Sequence, residues 1–376
     1  MLSKTLEAAV AGDVAAIAVT AQLSAASGNK IMPPTYAGDS DEVKFRHNTT
    51  HPDEHGIASW CSVDSPASCA NRMERALLAA APELAPLRVR FSDDRVISTM
   101  ELPHRVFDAV LRDSLLDGTA FRETDIGRQV VAAEPASAEA LLRHDPGSLL
   151  FGAWDSTGLG AQSRPRTRWP RALTCEITAT RVESVALAGN RIDPLGIEGT
   201  EEVWVEESDG TLRRATDAEL EPPKDGGLPR AGDKKKFDDY PRLIKASRAN
   251  HGNSLSLTPK GVLVHGDIRL HATLSLSRLR RYSFGSQTQA GRLLLTAMGV
   301  YGLLAFLTDG LDLRSGCDLV ADAVDIRLRS LGQSEPLELG LEDARNALRE
   351  QIAQVNLAPT TLLTPSAGLR DISGLV

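Results

Sequence analysis

The chain has 376 residues, a formal charge of −8, 42% hydrophobic and only 4% aromatic side chains, and four cysteines. Its length exceeds one typical domain of roughly 100 to 200 residues but admits a single domain with large insertions. The negative total argues at first sight against nucleic acid, and Cys61, Cys69, Cys175 and Cys317, with neither CxxC spacing nor the paired histidines of a zinc site, read as reduced, buried thiols.

The charge is unevenly distributed. Residues 193–225 hold eleven acids against three bases, a net −8 that equals the charge of the whole chain, while residues 269–292 hold five arginines and no acid. A local basic surface is therefore compatible with an acidic total. Met1–Glu7 lacks the basic start and apolar block of a secretory signal. The longest apolar run, the 15 residues Leu293–Leu307, falls short of the roughly 20 that span a bilayer. A buried helix and a cytoplasmic protein are expected.

In chain order, Val14–Ala25 predicts a buried strand, followed by an extended Pro33-Pro34-Thr35-Tyr36 segment and a polar loop at 39–59. His51 and His55 imitate a metalloprotease spacing, but Pro52 and the order of the acids do not suit a helix, so a loop is expected there. Ser65 as N-cap and Pro66 as first helical residue predict a helix that ends before Pro82. Its core stripe is Ala70, Met73, Leu77 and Ala80 or Ala81, and its polar stripe is Ser68, Asn71, Arg72 and Arg75. Serines and basic or amide side chains at a helix start form a candidate phosphate seat.

Residues 84–148 read as mostly helical, with one helix from Pro103 to Leu115 ended by Asp117-Gly118 and two shorter ones capped by Thr124 and Ser137. Leu149-Leu150-Phe151-Gly152-Ala153 has strand-like length and breaks into Trp154-Asp155-Ser156-Thr157-Gly158, followed by Arg164, Arg166, Arg168 and Arg171. Small hydroxyl residues and glycines leave backbone N–H groups free to face an anion. Another strand follows at Ala172–Ala179, continuing towards Leu187. A hairpin is expected at Asp209-Gly210 and a linker at 222–236. Unbroken alternation over Asp267–Leu276 predicts a strand with Ile268, Leu270, Ala272, Leu274 and Leu276 inward and Arg269, His271, Thr273 and Ser275 outward. Arg278, Arg280 and Arg281 follow it. Gln289–Leu307 predicts a buried helix, Leu319–Leu328 a strand and Leu341–Val355 an amphipathic helix.

Strand, helix, strands, helix, strand is the order of a ferredoxin-like or RNA-recognition-motif core, whose open sheet face is a common RNA platform. Scarce aromatics point to recognition of backbone and shape over base stacking.

Pro33-Pro34-Thr35-Tyr36, Asp64-Ser65-x-x-Ser68-x-Ala70-Asn71-Arg72, Pro103-His104-Arg105-x-x-Asp108-Ala109, Arg112-Asp113-Ser114 and Phe151–Gly158, with Arg168, Arg171 and Glu176-Ile177, resemble the Cas-seven-type backbone subunit of a type I CRISPR effector complex (Cascade), in the branch called I-U or I-G. The resemblance runs from Val14 to Leu328 and departs at Pro66-Ala67 and Cys69, where the family has Val-Gln and Gln. It implies an α+β fold, a modified ferredoxin-like (RRM) palm with a helical fingers insertion and a β-hairpin thumb. The palm's first part would be residues 1–83 with a loop at 26–62, the fingers 84–148, palm strands and basic loop 149–184, thumb 185–250, and the rest of the palm with a C-terminal helix 251–376. Such subunits stack head to tail on CRISPR RNA, grip its phosphates, pair the guide with target DNA and dock against other Cascade subunits in antiviral defence. The RNA-binding residues expected here are Ser65, Ser68, Asn71, Arg72, Trp154, Ser156, Thr157, Arg168, Arg171, Arg280 and Arg281. No cofactor, metal or membrane contact is expected, and Asp155 is assigned to orienting the loop or an arginine.

The alternative is an RNA endonuclease of the same fold, with Asp155, Asp64, His104 and His271 as acid–base candidates. No pair of them has a spacing that demands it, so binding without catalysis is the expectation. A metabolic phosphate-binding enzyme is disfavoured because neither G-x-G-x-x-G nor a Walker lysine motif is present.

Overall fold

The computed structural model describes residues 2–38, 45–155, 168–185, 189–191, 203–216, 243–245, 254–256 and 261–373. The chain divides into two units, one of Met1–Pro34, His47–Ser184 and Gly261–Val376, the other of Thr35–Arg46 and Val185–Lys260.

The first unit is built on an antiparallel sheet. Its central strands are β1 (Ala16–Ala25), β3 (Leu173–Ser184), β4 (Ile268–Ser275) and β6 (Cys317–Ser330), flanked by β2 (Ile57–Asp64) on β3 and β5 (Leu311–Arg314) on β6. The spatial order is β2-β3-β4-β1-β6-β5, with every pairing antiparallel. The sheet is curled, and its two outer strands meet. Arg314 on β5 donates to the Val63 carbonyl and the Asp64 carboxylate at the end of β2, both at 2.9 Å.

Alternation decides which face is buried. Ile17, Val19, Ala21 and Leu23 of β1 and Ile268, Leu270, Ala272 and Leu274 of β4 point to one side, covered by helices α2 (Pro66–Ala80) and α3 (Thr288–Thr308). α3 is apolar almost all round because it is enclosed by the sheet, α2, α1 (Leu2–Ala11) and α4 (Leu341–Ile352). It is long and apolar enough to cross a membrane by length and composition, but it is a core helix of this unit. α2 starts as its sequence predicts, with Ser65 accepting from the Ser68 N–H and Pro66 in the first turn. All four cysteines are buried and free.

The expectation of a mostly helical segment at 84–148 is corrected. Leu87–Ser92 pairs with Arg95–Ser98, and Ser114–Leu116 with Thr119–Ala120, and the C-terminal strand Thr361–Pro365 lies between the two hairpins. Asp117 and Gly118, both with positive φ (51° and 80°), are a hairpin turn and not a helix stop. Thr124 caps the helix Asp125–Ala132 as expected, while Ser137 lies one residue before the N-cap of Glu139–His144. Leu149–Phe151 is the end of a helix, Pro146–Phe151, because a short apolar run alone does not separate a buried strand from a buried helix.

Burial pushes the His144 imidazole down to about 4, with Arg143 adding to the shift. The unfolded chain therefore takes up a proton below its ordinary value of 6.5 that the folded chain refuses. The stability this neutral ring contributes is full above 6.5 and is lost as the pH falls towards 4. His144→Leu is expected to show a smaller drop in Tm between pH 7 and pH 5 than the parent chain, and an equal drop would contradict this.

In the second unit, Val203–Glu206 pairs with Leu212–Arg214 around Gly210, the hairpin expected at Asp209-Gly210. A third strand, Leu243–Lys245, joins its other edge, which no local pattern announced. Most of the acidic stretch 193–225 and the whole linker 222–236 lie outside the described residues.

Candidate nucleic-acid interface

Among the described residues, no helix packs on the face of the sheet opposite α2 and α3. Register places Thr20 and Gln22 of β1 beside His271 and Arg269 of β4, and those beside Glu176 and Thr178 of β3. On the other flank Ala18 and Thr20 face Arg327 and Asp325 of β6. The four central strands present no Phe, Tyr or Trp on this face. Trp60, opposite Thr180 on β2, stands half-buried at its edge. A hollow of about 330 Å³ opens between Thr20, Arg327, Arg329 and Ser334. Asp325 there holds Arg327 Nε at 2.8 Å, and Arg329 donates to Ser334 Oγ at 3.2 Å. The outward set Arg269, His271 and Thr273 is exposed as its alternation predicts.

At the start of α2, Asn71 is exposed and Ser68 half-buried, so the stripe is accessible there. Arg72 is engaged otherwise. Its Nε contacts Asp64 at 3.1 Å, and its terminal nitrogens donate to the carbonyls of Asp312 (2.9 Å) and Leu313 (2.5 Å). With Arg314 on the other carboxylate oxygen, it ties α2 to β5 around an Asp64 that is 1% exposed. Arg72→Ala is expected to cost about 2 kcal/mol of stability, since it leaves a buried carboxylate with one guanidinium fewer. Urea unfolding measures it, and a loss confined to RNA affinity would contradict the structural role.

A buried ion pair joins α2 to the base of the basic loop. Glu74, one turn beyond Asn71, takes Arg105 in a two-pronged bridge at 2.6 and 2.9 Å, and Arg105 also donates to the Gly152 carbonyl at 2.6 Å while lying over the Phe151 ring. Burial raises the Glu74 carboxyl to about 7 against the pull of Arg105. Gly152 is required here. Its φ is +83°, and a Cβ would stand 2.8 Å from the Trp169 carbonyl and 3.0 Å from Arg171 Cγ. Arg171 lies exposed over this glycine, its pKa lowered by desolvation and by Arg105.

The loop's two ends pair as short strands, Ala153 with Trp169 and Trp154 with Arg168. Trp154 meets His104 edge to face at 6.1 Å between centroids. Asp155, 3% exposed, holds Arg122 at 3.1 Å, which fits the orienting role expected of it. Ser156, Thr157 and the Arg168 side chain lie outside the described residues. Arg171 thus lies beside the Glu74–Arg105 bridge, which joins α2 to the base of the loop that Ala153 and Trp154 open.

Arg280 and Arg281 do not join that group. Arg280 donates to the carbonyls of Ala9, Val10 and Val14 and so caps the C-terminal end of α1. Arg281 is exposed. Asp64, Asp155 and His104 are each held by different neighbours, His271 stands exposed on β4, and no group of three potential metal ligands occurs among the described residues. Sequence reasoning missed Arg105, Glu74 and Arg122 as the scaffold of the loop, and Thr20, Arg327 and Arg329 on the open face. Alternation in Asp325-Ile326-Arg327-Leu328-Arg329 was the available signal for the last two.

Residues 17–184, under half of the chain, match the family described as CRISPR-associated protein GSU0053 (Cas_GSU0053). That description points to a role in CRISPR defence. No curated protein matches the chain.

Proposed function

Starting from the CRISPR-associated family to which residues 17–184 belong, we propose that this chain is a guide-binding backbone subunit of a type I-U/I-G effector complex. Copies line up on the CRISPR RNA, hold its phosphates and present the guide for pairing with target DNA beside other subunits of the complex. The observation that carries this is the open sheet face. Order β6-β1-β4-β3, with both helices behind, supports a ferredoxin-like palm whose free face offers hydroxyls, Arg269, His271, Arg327 and Arg329. The 84–148 insertion would be the fingers and the hairpin unit at 185–260 the thumb.

A surface of this kind reads backbone, not bases. Arginine and hydroxyl donors grip phosphates without choosing a sequence, which suits a protein that delegates sequence to base pairing. No catalytic step is assigned to the chain, since Asp155 and Asp64 are buried in ion pairs with arginines. Its place of action is taken as the cytoplasm.

Fluorescence anisotropy with single-stranded RNAs of unrelated sequence tests this. Similar affinities, falling steeply with salt at a slope of about −0.7 per phosphate held, are expected. A strong sequence preference, or affinity indifferent to salt, would overturn the proposal.

A further inference from the structure

On the helical side of the first unit, α2, α3 and α4 enclose a groove of about 500 Å³. Methyl groups of Ala79, Ala80 and Ala305 line it, with Tyr301, Arg345 and Arg349 at its walls. Tyr301, 4% exposed, belongs to the groove lining, and its hydroxyl has no hydrogen-bond partner among the described residues. The hydroxyl opens to the groove, so an occupant that brings an acceptor can exchange its bond to water for one to protein. Arg345 is paired with Glu342 on its own helix, whereas the exposed Arg349 has no partner among the described residues. The lining holds one carboxylate, Asp309, against two arginines, so beside Arg349 the groove suits something apolar that also carries a carboxylate.

The same unit carries such a shape on a different element. β6 returns through Gln333–Pro336 in a hairpin, Ser330 pairing with Gln333, so that Leu331 and Gly332 form the tip. Leu331 is 99% exposed. A leucine held in water on an ordered tip leaves about 1.5–3 kcal/mol of burial unrealised. Glu335, on the exposed return strand opposite Leu328, has no partner among the described residues either.

We propose that the hairpin of one copy docks in this groove of a second copy, seating Leu331 among the alanines with Glu335 towards Arg349 and the Tyr301 hydroxyl. This rests on the guide-binding reading, for which it supplies the contact between neighbours. Hairpin and groove are different surfaces, so a docked pair still offers one free groove and one free hairpin. A contact of that kind propagates instead of closing as a symmetric dimer.

Cross-linking tests the contact directly. All four native cysteines are buried, so a short bismaleimide reads only introduced thiols. Leu331→Cys with Ala79→Cys, bound to repeat-spacer RNA, is expected to give a ladder of cross-linked chains, and each single variant none. Arg349→Glu in that background should cut the ladder at least tenfold, and adding Glu335→Arg should restore it. Multi-copy particles on RNA without a ladder, a ladder indifferent to Arg349→Glu, dimers from a single variant, or a cross-link within one chain would each overturn the docking while leaving the guide-binding reading intact. A ladder formed equally without RNA would support the docking and count against the guide as what aligns the copies.

Discussion

Arg105→Ala is expected to lower stability by about 3–5 kcal/mol, the largest single effect in the chain, because it leaves the buried Glu74 carboxylate unpaired. The guanidinium makes three bonds, two to Glu74 and one to the Gly152 carbonyl, and both side chains are nearly inaccessible. Removing one ion strands the other in a medium of low polarisability, whereas replacing both with apolar groups of similar volume avoids that penalty. The double variant Glu74→Met with Arg105→Met should therefore recover most of the loss. Urea unfolding of the two single variants and the double measures the coupling. Single losses below about 1 kcal/mol would contradict a buried, unscreened pair.

The same bridge fixes the base of the basic loop, and the second large effect is expected there. Arg168→Ala with Arg171→Ala should weaken RNA binding by about tenfold or more per arginine, since charge-assisted bonds contribute about 1.5–3 kcal/mol each. The salt slope should shrink by roughly 0.7 for each phosphate released. Loss of affinity with an unchanged slope would mean that the loop was deformed and that no phosphate contact was removed. Arg280→Ala is the contrasting case. Its guanidinium caps α1, so its removal should loosen that helix and leave the slope unchanged.

Elements with a strong internal period were legible from sequence. β4 alternates without a break because one of its faces is buried, and α2 announces its start through Ser65 and Pro66. The hairpins within 84–120 were not legible as a sheet. Their strands are short and are held together by Thr361–Pro365, which is remote in sequence. The candidate site divides along the same line. Helical spacing identifies Ser68, Asn71 and Arg72 as one stripe, but the carbonyls of Asp312 and Leu313 that occupy Arg72 come from the far edge of a curled sheet. Arg280 is similar, since nothing in its neighbourhood signals the end of α1.

Co-expression with a CRISPR repeat-spacer RNA, followed by measurement of particle mass and bound RNA length, tests the central claim most directly. Several copies of the chain on RNA of discrete length, lost on Arg168→Ala with Arg171→Ala, is the predicted result. An RNA-free monomer, both with the RNA alone and with the other subunits of the complex supplied, would contradict it.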